Sequence, residues 1–333
     1  MATAAPQPVQ VKRAGDLKAG RDARGPRKSD AMSLGPVVRI APQPVVMRSA
    51  AWPNYALIDS GGGRKLERYG PYLVVRPEPQ CLWTPALEPS RWQAADAVFE
   101  PSDEEEAGRW RFARPLPETW PMAWRGVGFH GRFTAFRHMG VFPEQAANWA
   151  WLDERLSGGA PGARILNLFA YTGVASLVAA ARGAAVTHVD ASKKAVGWAR
   201  ANADLAGMTD RPLRWICEDA RKYVRREVRR GSSYDGIILD PPKYGRGPAG
   251  EVWRLHEDLA DLVLGCMALL GRTGGFILLN AYSERISGLA LASLLAEAAL
   301  GRGGVIDWGE LALMDESGGR GAGLSFFARW SAS

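Results

Sequence analysis

Cysteine is scarce in this sequence: Cys81, Cys217 and Cys266 are the three in 333 residues. They are too few and too scattered for a disulfide framework or a CxxC-type zinc site, so a reducing, cytoplasmic compartment is the expectation and no metal is expected. Long apolar runs are missing too. Although 47% of the residues are hydrophobic, no run of 18 offers a membrane span. The first 30 residues lack the apolar core of a secretory signal. What remains is the composition of a soluble globular protein, long enough for one large or two ordinary domains.

Charge is present, but unevenly. The formal net charge is +7. Residues 1–30 hold Lys12, Arg13, Lys18, Arg21, Arg24, Arg27 and Lys28 against Asp16, Asp22 and Asp30. More than half of the excess therefore sits in a segment that is rich in Ala, Pro and Gly and has no periodicity. Residues 1–44 read as a disordered tail. A basic arm for RNA, a solvated tail and a start codon assigned too early all fit it.

Residues 45–137 read as a β-rich N-terminal domain. Short β-prone pieces such as Tyr55–Asp59 and Tyr72–Arg76 are separated by Gly61-Gly62-Gly63 and by prolines, and residues 108–115 and 126–136 alternate apolar with polar. Residues 101–108 read as an acidic turn. Trp52, Trp83, Trp92, Trp110, Trp120 and Trp124 fall in this stretch, with Trp149 and Trp151 just beyond. Core filling is the plainer reading of these indoles; stacking on bases is the alternative. From residue 138 a loop leads into a helix near Glu144, and "SGGAPG" at 157–162 breaks it.

Residues 163–333 change character. Apolar strands at 163–169, 184–190, 213–219, 234–240 and 274–283 alternate with helices at 174–182, 192–207, 220–230, 251–270 and 288–300, with Ser192 as a cap and Gly207 as a stop. Two closing segments, "LALMDES" and "LSFFARW", read as an antiparallel pair. Strand–helix alternation predicts an α/β fold: a Rossmann-like, doubly wound, mostly parallel sheet, which binds ligands at the carboxyl ends of its strands.

The suggestive residues fall at those ends. After the first strand comes Asn167-Leu168-Phe169-Ala170-Tyr171-Thr172-Gly173, where small residues let backbone approach a ligand at a helix start. This loop matches neither the dinucleotide fingerprint nor the P-loop. Asp190 ends the second strand, where an acid accepts from ribose hydroxyls or caps the next helix. Asp219 and Ala220 follow the third, where an acid accepts from an exocyclic amine. Asp240-Pro241-Pro242-Lys243 follows the fourth; the prolines set a rigid corner rich in carbonyls and poor in donors.

Taken together, "NLFAYTG", "VDASKKAVGWARANADLAG", "EDA" and "IILDPPKY" make residues 163–283 resemble the class I S-adenosylmethionine-dependent methyltransferases, in particular the bacterial large-subunit rRNA methyltransferases of the RlmI/RlmK type. "GVFPEQ" at 140–145 is similar to the segment that precedes this domain in the family. The first 135 residues do not match the PUA domain of some relatives. The resemblance implies a methyltransferase domain over 138–333, with S-adenosyl-L-methionine as cofactor. It implies Phe169, Tyr171, Thr172 and Gly173 on the methionine side, Asp190 on the ribose, and Asp219 with Ala220 on the adenine. It implies Asp240, Pro241, Pro242 and Lys243 facing the methyl group and the target as the catalytic set. Gln145 closes over the cofactor or caps a helix.

The resemblance also implies RNA, ribosomal above all, as the substrate. Carbon-5 of cytosine is not nucleophilic unless a Cys thiolate first attacks the ring. Relatives that methylate it carry that Cys just past the fifth strand, where this chain has Asn280-Ala281-Tyr282-Ser283. Cys217 and Cys266 read as buried structural thiols. The expectation is therefore a base nitrogen, reached by taking the base out of its stack. Two further readings stay open: a methyltransferase of this fold acting on a protein or small molecule, and an RNA-binding protein with a non-catalytic cofactor domain. Arg221, Lys222, Arg225, Arg226, Arg229 and Arg230 crowd one helix and read equally as a phosphate-binding face or a solvated one. Residues 244–253 read as a flexible substrate loop.

Overall fold

The computed structural model describes residues 37–102, 108–159, 162–271, 274–282, 285–316 and 319–333. Residues 1–36 of the expected tail and residues 103–107 of the acidic turn expected at 101–108 lie outside them. Two short strands come first, β1 (Val38–Ile40) and β2 (Val45–Ser49). A β-rich part follows. It comprises β3 (Tyr55–Gly61), β4 (Arg64–Tyr69), β5 (Tyr72–Pro77), the short helix α1 (Pro89–Gln93), β6 (Ala97–Pro101) and β7 (Gly108–Phe112), then the hairpin β8 (Thr119–Trp124) and β9 (Val127–Arg132). Helix α2 (Ala146–Ser157) leads to β10 (Arg164–Leu168), α3 (Val174–Ala181), β11 (Ala185–Asp190), α4 (Lys193–Leu205), β12 (Leu213–Cys217), α5 (Ala220–Arg230) and β13 (Gly236–Leu239). The chain continues through a small hairpin, β14 (Tyr244–Arg246) and β15 (Val252–Arg254), then α6 (Leu255–Leu269), β16 (Phe276–Ala281), α7 (Gly288–Ala298), β17 (Gly304–Met314) and β18 (Gly321–Ser331).

The large sheet runs β1-β17-β18-β16-β13-β10-β11-β12, with β2 also on β17. Strands β16, β13, β10, β11 and β12 are mutually parallel, and β18 turns antiparallel against β16. Every residue of β13 and β16 is buried. Helices cover both faces of such a strand, so its sequence is a continuous apolar run and does not alternate. Ser192 accepts from the Ala195 N–H and caps α4, and Gly207 turns the chain beyond it at φ 65°. The chain order reverses between β10 and β13, and the crevice at that switch point is where a doubly wound sheet takes its ligand.

The β-rich part and the α/β part share their interior. One apolar cluster joins Tyr55, Tyr69, Trp120 and Trp124 to Trp149, Leu177 and Val186. All eight indoles between residues 52 and 151 are buried or half-buried, in keeping with core filling rather than base stacking.

Three expectations need correction. Residues 37–44 are not wholly tail: Val38–Ile40 pairs in parallel with Gly304–Ile306, and β2, expected in the N-terminal domain, pairs with Gly309–Leu313 of the large sheet. Both are short β-branched segments whose partners lie far along the chain. Residues 244–253 are not an open loop but mostly a hairpin, with Tyr244, Gly245 and Arg246 opposite Arg254, Trp253 and Val252; the helix expected from 251 starts at Leu255. Cys217 is exposed, whereas Cys81 and Cys266 are buried. Cys217 sits at the last position of β12, where the strand leaves the cover of its helices.

Candidate active site

The strand ends at the switch point open on one cavity of about 1140 Å³. All twelve residues singled out from the sequence line it: Gln145, Phe169, Tyr171, Thr172, Gly173, Asp190, Asp219, Ala220, Asp240, Pro241, Pro242 and Lys243.

The loop after β10 is strained. Phe169 and Tyr171 lie in the left-handed region at φ 54° and 47°, which costs a non-glycine residue about 1–3 kcal/mol and persists only where neighbours enforce it. Asp190 is one enforcer. Its carboxylate accepts from the Tyr171 N–H at 2.8 Å and from the Ser192 N–H at 2.8 Å. Burial raises its pKa, and those two backbone donors counter the rise. Asn202 donates to the Thr172 carbonyl at 2.8 Å, and the Thr172 hydroxyl donates to the Gly140 carbonyl at 2.7 Å. The loop is thereby tied to the 140–145 segment. Gly140 has φ 80°, and a Cβ there would meet the Trp198 ring at 2.2 Å. Gly140→Ala is therefore expected to lower unfolding free energy by about 2–4 kcal/mol, from left-handed strain plus overpacking; a urea midpoint equal to that of the wild type would contradict the contact.

The other end of the cavity holds a buried polar network. Asn280 donates to Asp240 Oδ1 at 2.8 Å, and Gln145 donates to Asp240 Oδ2 at 3.2 Å and to the Tyr282 hydroxyl at 3.1 Å. Tyr282 in turn donates to Glu144 Oε1 at 2.9 Å. Asn148 donates to Gln145 Oε1 at 2.8 Å and accepts from Arg329 at 2.8 Å. Gln145 makes no side-chain cap bond to α2, so of its two readings the structure has it facing the cavity. Burial pushes the Asp240 carboxyl up to about 7; the Asn280 bond lowers it, and the charge of Glu144 raises it further. Glu144 is itself raised, chiefly by burial. The rings of His138, Phe142, Tyr171 and Tyr282 line this wall, with Phe142 5.5, 6.1 and 5.6 Å from the other three.

Asp219 also lines the cavity, but as the cap of α5. It accepts from the Arg221 and Lys222 N–H groups and pairs with the Arg221 guanidinium at 3.1 Å. The basic helix is largely neutralised: Arg221 also meets Asp258, Arg226 meets Glu218, Arg230 meets Glu227, and Lys222 pairs with Glu251.

A family model for S-adenosylmethionine-dependent methyltransferases matches residues 84–281. The chain belongs to that family. A solved SAM-dependent methyltransferase from Agrobacterium tumefaciens is similar over 90% of this chain and 96% of its own, at 50% identity and TM-score 0.85. A methyltransferase structure from Streptococcus mutans shares the fold at 18% identity, with TM-score 0.66 over 84% of this chain and 75% of its own. Among curated relatives, ribosomal RNA large subunit methyltransferase K/L of Hahella chejuensis is 34% identical over 46% of this chain, and ribosomal RNA large subunit methyltransferase I of Aeromonas hydrophila is 32% identical over 43%. The matched stretch spans 20% and 36% of those two proteins' lengths.

The cavity of this methyltransferase fits S-adenosylmethionine, its cofactor, by the chemistry of its donors. Half-buried Asp240 and buried Glu144 both have raised carboxyl pKa values, chiefly through burial and for Asp240 also through the charge of Glu144, and a cationic ligand favours their ionised forms. Sequence reasoning missed Glu144, Asn148 and the polar role of Tyr282 and Asn280. Glu144 and Tyr282 lie 138 positions apart, and no local pattern announces such a pair. Among the described residues no His, Cys, Asp and Glu side chains group to hold a metal ion, and no helix is long and apolar enough to cross a membrane.

Proposed function

We propose that this methyltransferase acts on a base nitrogen of ribosomal RNA, in the cytoplasm. Bound in the cavity, S-adenosylmethionine supplies an electrophilic methyl group on a sulfonium. Phe169, Tyr171, Thr172 and Gly173 hold its methionine part, Asp190 its ribose, and Asp219 with Ala220 its adenine. Gln145 closes this pocket and hydrogen-bonds Asp240. The corner Asp240–Lys243 faces the methyl group and the target. Transfer to a nitrogen lone pair needs little acid–base work, so alignment supplies most of the rate.

The observation that carries the nitrogen target is the chemistry of the reaction end. Among the described residues, no cysteine lines the cavity. Cys81 is buried in the β-rich part, its thiol pushed up to about 11 chiefly by burial, and burial also raises Cys266. Cys217 is exposed and does not line the cavity; its Sγ lies 3.6 Å from the carbonyl of Ala191, which does. Carbon methylation by thiolate attack has no nucleophile here. The resemblance to rRNA methyltransferases supports the substrate class.

The test supplies unmodified ribosomal RNA and labelled cofactor to the wild type and to a variant with Cys217→Ser, Cys81→Ala and Cys266→Ala. Label is expected on RNA from both, at rates within about threefold. Label on protein alone would replace the substrate assignment. Transfer lost in a variant that still binds cofactor would overturn the nitrogen target.

A further inference from the structure

The hairpin β14–β15 stands at the cavity mouth, directly after Asp240-Pro241-Pro242-Lys243, and the assignment above leaves all of it unused. Its base is fixed. Trp253 is buried, donates through Nε1 to the Pro242 carbonyl at 2.7 Å, and its ring centre lies 4.8 Å from that of Phe169 in the cofactor loop. The Leu255 N–H donates to the Lys243 carbonyl at 3.0 Å. The turn is closed by the Gly247 N–H on the Glu251 carbonyl at 2.8 Å, and the Glu251 carboxylate pairs with Lys222 of α5.

The other side of the hairpin is open. Tyr244 keeps 49% of its surface exposed, and Lys243 and Arg246 are exposed beside it. Tyr244 and Arg246 are two apart on one strand and share a face. All three line the cavity. Among the described residues neither Lys243 nor Arg246 is ion-paired, whereas four of the six α5 cations are. Carboxylates thus occupy most of the basic helix and leave these two cations available.

A half-exposed aromatic ring between two unpaired cations, on a rigid mount next to the transfer corner, has the chemistry of a single-strand nucleic acid contact. Every base has a face to stack, and each phosphate takes a cation. A duplex does not fit, because RNA bases become available to aromatic rings in loops and unstacked ends. We propose that Tyr244 is a stacking platform for the nucleotide adjoining the target base, and that Lys243 and Arg246 bind its flanking phosphates. The partner is a single-stranded or loop segment of RNA. This rests on the RNA reading above.

The experiment measures methyl transfer to a ribosomal RNA fragment carrying the wild-type site, together with cofactor affinity by calorimetry, for Tyr244→Ala, Tyr244→Phe and Arg246→Ala. Removing the ring is expected to raise KM for the RNA by about 5- to 150-fold, while Tyr244→Phe stays near the wild type and cofactor Kd is unchanged in both. Arg246→Ala is expected to reduce the slope of log affinity against log salt by about 1. An RNA KM unchanged in Tyr244→Ala, or cofactor affinity falling in step with it, overturns the platform and leaves the RNA reading standing. A wild type that labels a protein and no RNA overturns the RNA reading and the platform with it.

Discussion

Asp190→Ala is expected to weaken S-adenosylmethionine binding by about 100- to 1000-fold, measured by calorimetry on folded protein. The size follows from two charge-assisted hydrogen bonds at the lower end of their usual range, together about 3–4 kcal/mol. The carboxylate does two jobs at once. It is the acceptor proposed for the ribose, and it holds the Tyr171 N–H at 2.8 Å in a loop whose backbone is strained. Without it, Phe169 and Tyr171 have less reason to stay left-handed, and the methionine side of the cavity loosens with the ribose side. Asp190→Asn keeps an acceptor and is expected to lose only about tenfold. An Asp190→Ala protein that binds cofactor as tightly as the wild type would remove Asp190 from the site.

Glu67→Ala is expected to cost about 3–5 kcal/mol of stability, the typical loss when a buried ion pair is left with one partner. The Glu67 carboxylate has 0% of its surface exposed and lies 2.7 Å from the Arg76 guanidinium. Tyr55 and Tyr69 also donate to it, at 2.9 and 3.3 Å. Burial alone would raise its pKa, but the charges of Arg76 and Lys65 and the donors from Arg76 and Tyr55 outweigh burial and bring it to about 2. The unfolded value is about 4.3. The stabilisation is therefore fully present above pH of about 4.3 and fades as pH falls through 2. Urea titrations between pH 3 and 7 should show the wild type losing stability on the acid side and Glu67→Ala losing much less; parallel curves would refute the linkage. The effect reaches the active site, because Arg76 lines the cavity and donates to the Arg137 carbonyl at 2.9 Å.

Much of the site was legible because its parts are local. A strand that stops in an acid, followed by a helix, is written in consecutive residues, and Asp190, Asp219 and Asp240 were readable for that reason. The loop Phe169–Gly173 carried its small residues in the same way, whereas the left-handed backbone at Phe169 and Tyr171 had no mark in the sequence. What escaped was held by pairings without local signature. Tyr282 and Asn280 were noticed only as residues standing where a cysteine would be. Their worth lies in Gln145, Glu144 and Asp240, which the chain brings from elsewhere. The hairpin at 244–254 read as a loop because strands of three residues are too short to show a period of two. Cys217 read as buried because its strand is apolar, yet the last residue of an outer strand has little to cover it.

The pairing of β1 with β17 sets an order on how the molecule is made. Residues 38–40 wait for residues 304–306, and residues 45–49 wait for 309–313. During synthesis this border of the large sheet stays unmatched until nearly the whole chain has emerged. Contacts so distant in sequence are slow to form, and unmatched strands are open to the wrong neighbour. The last tenth of the chain is thus the step on which completion of the sheet depends.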